Sequence, residues 1–332
     1  MTPRISFIVP VKNDAARLET CLKSVLRNVG ASSHHEIIVV DNGSTDGSGE
    51  VARRFGATVL PLSGGMRVSA LRNCAAREAK GDILAFVDAD NEIVSGWTRA
   101  AIETLRLPGV GAAGAPYLAP LDGTWVQRAY GCLRGRAEGL QDAGWLGSGN
   151  LAVWRRAFDS VGGFDTTLDA CEDVDFCQRL RARGLRVVSD ARLKSIHHGD
   201  PETLSDLFAG ERWRGRDNLK VSLRPPVSLS VLPSAIVPVV DLLMVPVLAV
   251  ALLASLTSSW RAMAFALAAV ALVAAGVVAR VARVAARDRA VRGGAILQLL
   301  VVVCVYDVAR ALALVSPAGH RRSQSPAVSA TS

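Results

Sequence analysis

Two aspartates, Asp88 and Asp90, stand two residues apart directly after the apolar run Ile83-Leu-Ala-Phe-Val87. A strand that is apolar throughout is buried on both faces, so the pair marks the carboxyl end of an interior strand. In open α/β sheets, ligands gather beyond that end, where turns and helix N-termini offer free N–H groups. Two carboxylates so spaced can reach one divalent cation. Mg²⁺ or Mn²⁺ takes one or two carboxylates and completes its shell with substrate phosphates and water. An isolated Asp-x-Asp is a common loop feature, but Gly81-Asp82 before the strand and Arg72-Asn73 upstream add weight. Two more turns follow strand-like runs, Pro10-Val11-Lys12-Asn13 and Asp41-Asn42-Gly43-Ser44-Thr45-Asp46.

The elements that must hold these turns alternate from residue 5 to about 113. Strands are predicted at 5–9, 36–40, 57–60 and 83–87, and helices at 15–29, through Phe55, at 67–79 and at 95–105. Strands alternating with helices of this length imply βαβ units and a mainly parallel, helix-covered sheet. Residues 114–146 read as irregular and Gly-rich. A second ordered block starts at Gly147 and continues through Val153, a helix follows at 155–160, and another opens at Asp173 and ends at Arg183.

The last third differs in kind. Residues 225–332 carry nine arginines, three aspartates and no lysine or glutamate, so most of the net charge of +8 lies there. The same segment is otherwise apolar, and the mean hydropathy of the whole chain is +0.28. Clustered arginines between apolar runs mark a membrane region, not a nucleic-acid binder. From Val227 to Ser259 the only charge is Asp241. As one helix this run would reach roughly 50 Å against a hydrocarbon core of about 30 Å. It is therefore read as an entry segment, broken at Pro233, Pro238 and Pro246, and a span at about 236–256. Residues 262–279 form a second span and 295–315 a third, in which Asp307 and Arg310 can pair at i, i+3. Residues 316–332 read as a disordered tail. Six cysteines without metal-type spacing, and no recognisable secretion signal, point to reduced thiols on the cytoplasmic side.

Taken together, the motifs resemble those of the family 2 glycosyltransferases, which have the GT-A fold. The matching segments are Ser6-Phe-Ile-Val-Pro-Val-Lys-Asn13, Ile37-Ile-Val-Val-Asp-Asn-Gly-Ser-Thr-Asp46, Ala70-Leu-Arg-Asn73 and Gly81 through Asp90. Gly149-Asn150, Val161-Gly-Gly-Phe-Asp165 and Cys171-Glu-Asp-Val-Asp-Phe176 follow in the family's order, so the resemblance covers about residues 4–220. It implies a nucleotide-sugar-binding domain over 1–224, ahead of a membrane region of two or three transmembrane helices over 225–315. It also implies roles. Asp41 matches the carboxylate that recognises the base, Pro10 and Asn13 lie in the first nucleotide-contacting turn, and Arg72 lies near base or diphosphate. Asp88 would meet the ribose or a metal-bound water, and Asp90 would ligate Mn²⁺ or Mg²⁺, with His198 of the His197-His198 pair as a further ligand. Asp173 matches the general base of an inverting transfer and Glu172 a residue that orients acceptor or base, whereas Asp175 reads as a solvated first-turn acid. The implied partners are a nucleotide-sugar donor, a glycan or lipid-linked acceptor and the membrane, in envelope or exopolysaccharide synthesis.

Two departures narrow the resemblance. Processive synthases of the family carry Gln-x-x-Arg-Trp, and here Ala209 precedes Glu211-Arg212-Trp213 in place of the glutamine. Asn91 follows Asp90 where the polyprenyl-phosphate sugar synthases continue differently. A nucleotidyltransferase is the alternative enzyme, but no Gly-rich, basic triphosphate loop follows the first strand. An inactive scaffold of the same fold would have lost Asp90 or Asp173, and both are present. The five arginines between Arg280 and Arg292 place that connector in the cytoplasm, on the side of the catalytic domain, by the positive-inside rule. A cysteine introduced beside Arg287 should resist an impermeant thiol reagent in intact cells and react after permeabilisation. Labelling in intact cells would reverse the orientation.

Overall fold

Seven consecutive buried residues form β1 (Ile5–Val11), the strand from which the sheet is built outward. The structure is a computed structural model that describes residues 2–29, 34–135, 138–225, 232–255, 260–288 and 291–316. β2 (His35–Asp41) and β3 (Thr58–Pro61) lie on one side of β1, and β4 (Ile83–Val87) lies on the other. All four are parallel. Along β1, Phe7, Val9 and Val11 enter one apolar core and Ile8 enters the other, the period of two expected of a strand covered on both faces. The helix Ala15–Val29 seals the first core with Leu18, Leu22, Val25 and Val29 on one stripe.

The chain reverses its direction of sheet growth between β1 and β4, which makes the space beyond their carboxyl ends the topological switch point. Pairing of the two strands ends at Ile8 and Phe86. Pro10, which has no N–H to give a neighbour, sits just past that limit while still level with Val40 of β2. The sheet thus opens where the ladder loses a donor.

Beyond β4 come β8 (Asn150–Trp154), antiparallel to both neighbours, then β6 (Val110–Gly114), β9 (Arg186–Asp190) and β7 (Leu140–Asp142). A separate two-stranded sheet pairs β5 (Asn91–Ile93) with β10 (Ser195–His197). The segment expected to be irregular instead holds the helix Trp125–Arg134, opened by a capping box between Thr124 and Gln127, and the short β7. Asn150 fixes the start of β8. Its amide nitrogen donates to the Ala115 and Leu193 carbonyls, and its oxygen accepts from Trp97 Nε1 at 2.9 Å.

Three apolar helices end the chain: Leu232–Ser255, Trp260–Arg287 and Gly294–Ala313. By length and composition Met263–Arg287 and Gly294–Ala313 suffice to cross a membrane, while Leu232–Met244 is a shorter apolar stretch. The expected break at the prolines is absent, because the first helix runs through Pro238 and Pro246. The basic connector is also largely helical, since Arg280, Arg283 and Arg287 belong to the second helix. Asp307 and Arg310 do not pair with each other. Asp307 pairs with Arg280, and Arg310 donates to Glu211 at 2.8 Å, so partners on other helices win over the neighbour one turn away. Arg289 and the tail from residue 317 lie outside the described residues.

Arg155 ties the two halves of the sheet to the helix Val68–Glu78. Its guanidinium donates to the carbonyls of Ala76, Ala79 and Gly81 at 3.0, 2.7 and 2.7 Å, satisfying the groups that a helix C-terminus leaves open. Arg155→Ala should destabilise the domain by about 2–3 kcal/mol, the range for hydrogen bonds to a charged group. Thermal unfolding should move down by roughly 5–10 °C. Arg155→Lys, a point charge without the fork, should recover less than half of that loss. An unchanged midpoint for Arg155→Ala would contradict this role.

Candidate active site

Arg72 reaches the site from the helix Val68–Glu78 and is only 2% exposed. Its guanidinium donates to Asp88 Oδ1 at 2.5 Å and to Glu172 Oε1 at 2.9 Å, and it lies 5.8 Å from the Phe164 ring centre. Glu172 also accepts from Ser148 Oγ at 3.1 Å. The carboxyl end of β4 and the N-terminus of the helix Glu172–Ala182 are therefore joined through one cation. An aromatic cluster backs this joint. Phe86, Phe158, Phe164 and Phe176 pack in tilted and edge-to-face pairs with centres 4.7–5.7 Å apart. Asn73 exchanges two hydrogen bonds with the Phe164 backbone, and Gly163, at φ +73°, passes where a Cβ would strike the Asn73 amide.

Cys171, at φ 61°, caps the helix that carries the acids, so Asp173 is its second residue and not its cap. The carboxylate of Asp173 accepts from the Val174 N–H at 2.8 Å. The residue is half-buried. Burial, and next the adjacent Glu172 charge, push it up to about 7, while the Val174 N–H and Arg72 only partly oppose them. Asp175 is not the solvated acid expected from the sequence. It is 2% exposed and paired with Arg179 at 2.8 Å and Arg224 at 2.6 Å, because the helix turns it inward toward those arginines.

Asp90 lies opposite a different set. Antiparallel pairing of β5 with β10 sets His197 level with Asn91, and His197 Nε2 comes within 3.6 Å of Asp90 Oδ1. His197 Nδ1 lies 2.7 Å from Asp200 Oδ1, and Asp200 takes both arms of Arg134. The ring of His198 turns instead to Glu92 at 3.2 Å, so the histidine facing Asp90 is His197. Tyr117, whose hydroxyl accepts from the Gly149 N–H at 3.1 Å, packs against His197 with ring centres 5.0 Å apart. Neither Tyr117 nor Ser148 carried a sequence signal. The helix that delivers Arg134 was missed in the sequence, although the Thr124-x-x-Gln127 capping box is a signal that could have found it.

The first two turns form a separate lobe of the cleft. Asn13, at φ 51°, accepts from the Thr45 N–H at 2.7 Å and donates its own N–H to Ser44 Oγ at 3.0 Å. Asp41 accepts from the Ser44 N–H at 2.8 Å. Asn13 therefore latches two loops together, and Asp41 shapes the second. Arg17, paired with Asp14 at 2.8 Å, extends to the His198 carbonyl at 3.5 Å and links this lobe to the Asp90 side.

A divalent cation fits the donor set in one respect. The backbone at Gly149 and Gly199 passes so close to Asp88 and Asp90 that a Cβ at either position would collide with the facing carboxylate. These cradles hold two hard oxygen donors at the mouth of the cleft. Among the described residues no cluster of three or more His, Cys, Asp or Glu forms a cage by itself, so a substrate would have to bring further ligands.

Residues 6–159 match the family profile described as "Glycosyl transferase family 2". That match spans a little under half of the chain and takes in the Asp41, Arg72, Asp88 and Asp90 turns. Among its relatives, O-antigen biosynthesis protein RfbC of Myxococcus xanthus is 31% identical over 233 residues, 62% of this chain. The chain spans only 18% of that protein's length. Glycosyltransferase AglE of Haloferax volcanii is 27% identical over 235 residues, covering 68% of this chain and 77% of AglE. The fold is that of a mannosyltransferase from Pyrobaculum calidifontis solved with GDP-Man and Mn²⁺. The TM-score is 0.60 at 18% identity, over 93% of this chain and 88% of that one. The fold is thus of the GT-A type, as the motifs led one to expect.

The raised Asp173 carboxyl has a consequence for stability. Its folded pKa exceeds the unfolded value near 3.9, so its favourable contribution is complete below that value and is lost as pH rises toward 7. Asp173→Asn removes the ionisation. The variant should unfold several degrees above the wild type at pH 8, with the gap closing toward pH 4. Equal midpoints at both pH values would mean that Asp173 is solvated like an ordinary carboxylate.

Proposed function

We propose that this chain is a metal-dependent, inverting glycosyltransferase. It takes a nucleotide sugar from the cytoplasm and glycosylates a saccharide or lipid-linked acceptor at the membrane, in the synthesis of an envelope or exported polysaccharide. The observation that carries the reading is the division of labour around Arg72. The guanidinium occupies Asp88 and Glu172, and Asp173 is left beside them with a raised pKa and no cationic partner among the described residues.

A base tuned close to the working pH both stays ionised and accepts a proton readily. Asp173 would take the proton from the acceptor hydroxyl as that oxygen bonds to the anomeric carbon. The bond from that carbon to the leaving phosphate oxygen breaks on the opposite face, which inverts the configuration. Glu172, anchored by Arg72 and Ser148, would hold the helix N-terminus and hence the base in place. Asp41 and the latched Asn13 turn would receive the nucleoside, and Asp88, Asp90 and His197 surround the expected place of the diphosphate. A divalent cation held by Asp90 with Asp88 would offset the charge that develops on the departing diphosphate. The AglE and RfbC relatives support the glycan assignment.

Binding and chemistry should separate by residue. Asp173→Asn should lower nucleoside diphosphate release from a panel of UDP-, GDP- and dTDP-sugars, with native membrane extract as acceptor source, by at least ~10²-fold. Calorimetric affinity for UDP or GDP with Mn²⁺ should stay within a few-fold. Asp90→Asn should abolish the Mn²⁺-dependent part of that affinity, and EDTA should do the same to the wild type. Near-normal turnover of Asp173→Asn would remove it as the base. Equal nucleotide affinity with Mn²⁺ and with EDTA would remove the metal.

A further inference from the structure

The helix Gly294–Ala313 does more than supply apolar surface. Val302, Val305 and Tyr306 pack with Val126, Ala129 and Tyr130 of one catalytic-domain helix and with Leu207 of the helix Leu204–Arg214. At this contact lies a carboxylate with no exposure at all. Glu211 accepts from Arg310 Nε at 2.8 Å, from Arg214 Nη1 at 3.0 Å and from the Tyr130 hydroxyl at 2.6 Å. The second arm of Arg310 donates to the Arg214 carbonyl at 3.3 Å. A Cβ on Gly215, the next residue, would run into Ala313 and the stem of Arg310, so the two helices touch backbone to side chain.

That same carbonyl of Arg214 accepts from Cys171 Sγ at 3.5 Å. Cys171 is the left-handed residue that opens the Glu172–Asp173 helix. The adjoining segment also hangs from the chain just after Arg214, because Asp217 accepts from the Asp169 and Ala170 N–H groups at 2.6 and 3.1 Å. A non-glycine residue at positive φ persists only where its surroundings over-determine it. Here the surroundings are the end of the helix Leu204–Arg214, and that end is clamped by Arg310.

We propose that Arg310 is a positioning residue of the active site: by clamping Glu211 and the Arg214 carbonyl, it sets the Cys171 turn and with it the Glu172–Asp173 pair. The inference rests on Asp173 as the base. It makes the third apolar helix a component of the catalytic unit, not a passive anchor.

The test uses the full-length chain. Peptide-resolved mass spectrometry of N-ethylmaleimide labelling reads each thiol separately and needs no donor. In Arg310→Gln, Cys171 should label ~10-fold faster than in the wild type, as expected of local opening, while the core thiols Cys21 and Cys177 stay protected. Unchanged protection of Cys171 would overturn the proposal. Exposure of all three thiols would mean unfolding, so the pair Glu211→Gln with Arg310→Gln, which removes the fully buried carboxylate together with Arg310 and leaves Arg214 one-third exposed to solvent, is measured beside it. The pair should regain the wild-type melting temperature and keep a labile Cys171. Full recovery of both would reduce Arg310 to a stabilising role and overturn the proposal. In turnover, Arg310→Gln should lower kcat about ten-fold or more with KM for the nucleotide sugar nearly unchanged, and Arg310→Lys should restore part of it. Loss of turnover in Asp173→Asn with normal kcat in Arg310→Gln sinks this inference alone. Normal turnover in Asp173→Asn sinks the base assignment, while the labelling result still stands or falls separately.

Discussion

A single guanidinium, that of Arg72, holds the candidate active site together. A buried cation is costly to desolvate, and it is tolerated here because Asp88 and Glu172 flank it from two different elements. Removing either carboxylate would leave the buried guanidinium with one partner in place of two, an under-compensated charge that costs stability. The bridge therefore forces the end of β4 and the start of the helix Glu172–Ala182 to adopt one relative position. The packed phenylalanines behind it make that position rigid, and Phe164 lends its ring face to the same guanidinium. Lysine would not substitute, since one ammonium cannot present two directed donors along a plane.

The bridge also explains why two neighbouring acids differ. Glu172 receives a guanidinium N–H and a hydroxyl, whereas Asp173 receives backbone N–H groups and no side-chain donor among the described residues. Burial therefore raises the Asp173 carboxyl, the property asked of the proposed base. Asp88 stands on the other side of the same cation, so the nucleotide side of the cleft and the proposed base are electrostatically joined without touching.

The sheet was legible because its strands are written as short apolar runs, and Asp88 and Asp90 because they follow one of those runs. The remaining features depend on contacts that no local pattern encodes. His197 rather than His198 faces Asp90 because a three-residue strand pairs with another about a hundred residues earlier. Asp175 looked like a solvated first-turn acid, and Arg179 together with Arg224, which arrives from just beyond the helix Asn218–Ser222, makes a buried carboxylate acceptable there. The helix Trp125–Arg134 hid among glycines and few periodic residues, although its capping box was readable. Asp307 and Arg310 carried the right spacing for mutual pairing and lost it to better-placed partners.

Those two side chains also determine how the apolar helices meet the soluble domain. Three residues along a helix turn the direction by about 300°, so Asp307 and Arg310 project from nearly the same side, within ~60° of each other. One is held by Arg280 of the helix Trp260–Arg287 and the other by Glu211 of the catalytic domain. A polar group on an apolar helix is strongly disfavoured unless it is paired, so both pairs resist rotation of the helix Gly294–Ala313 about its axis. That helix is consequently wedged between the neighbouring apolar helix and the domain bearing the Asp-Ala-Asp turn. If the apolar helices lie in a bilayer, as their composition permits, the height and tilt of the cleft above it follow from these two ion pairs. An acceptor anchored in the same bilayer would then meet Asp173 at a depth set by the fold.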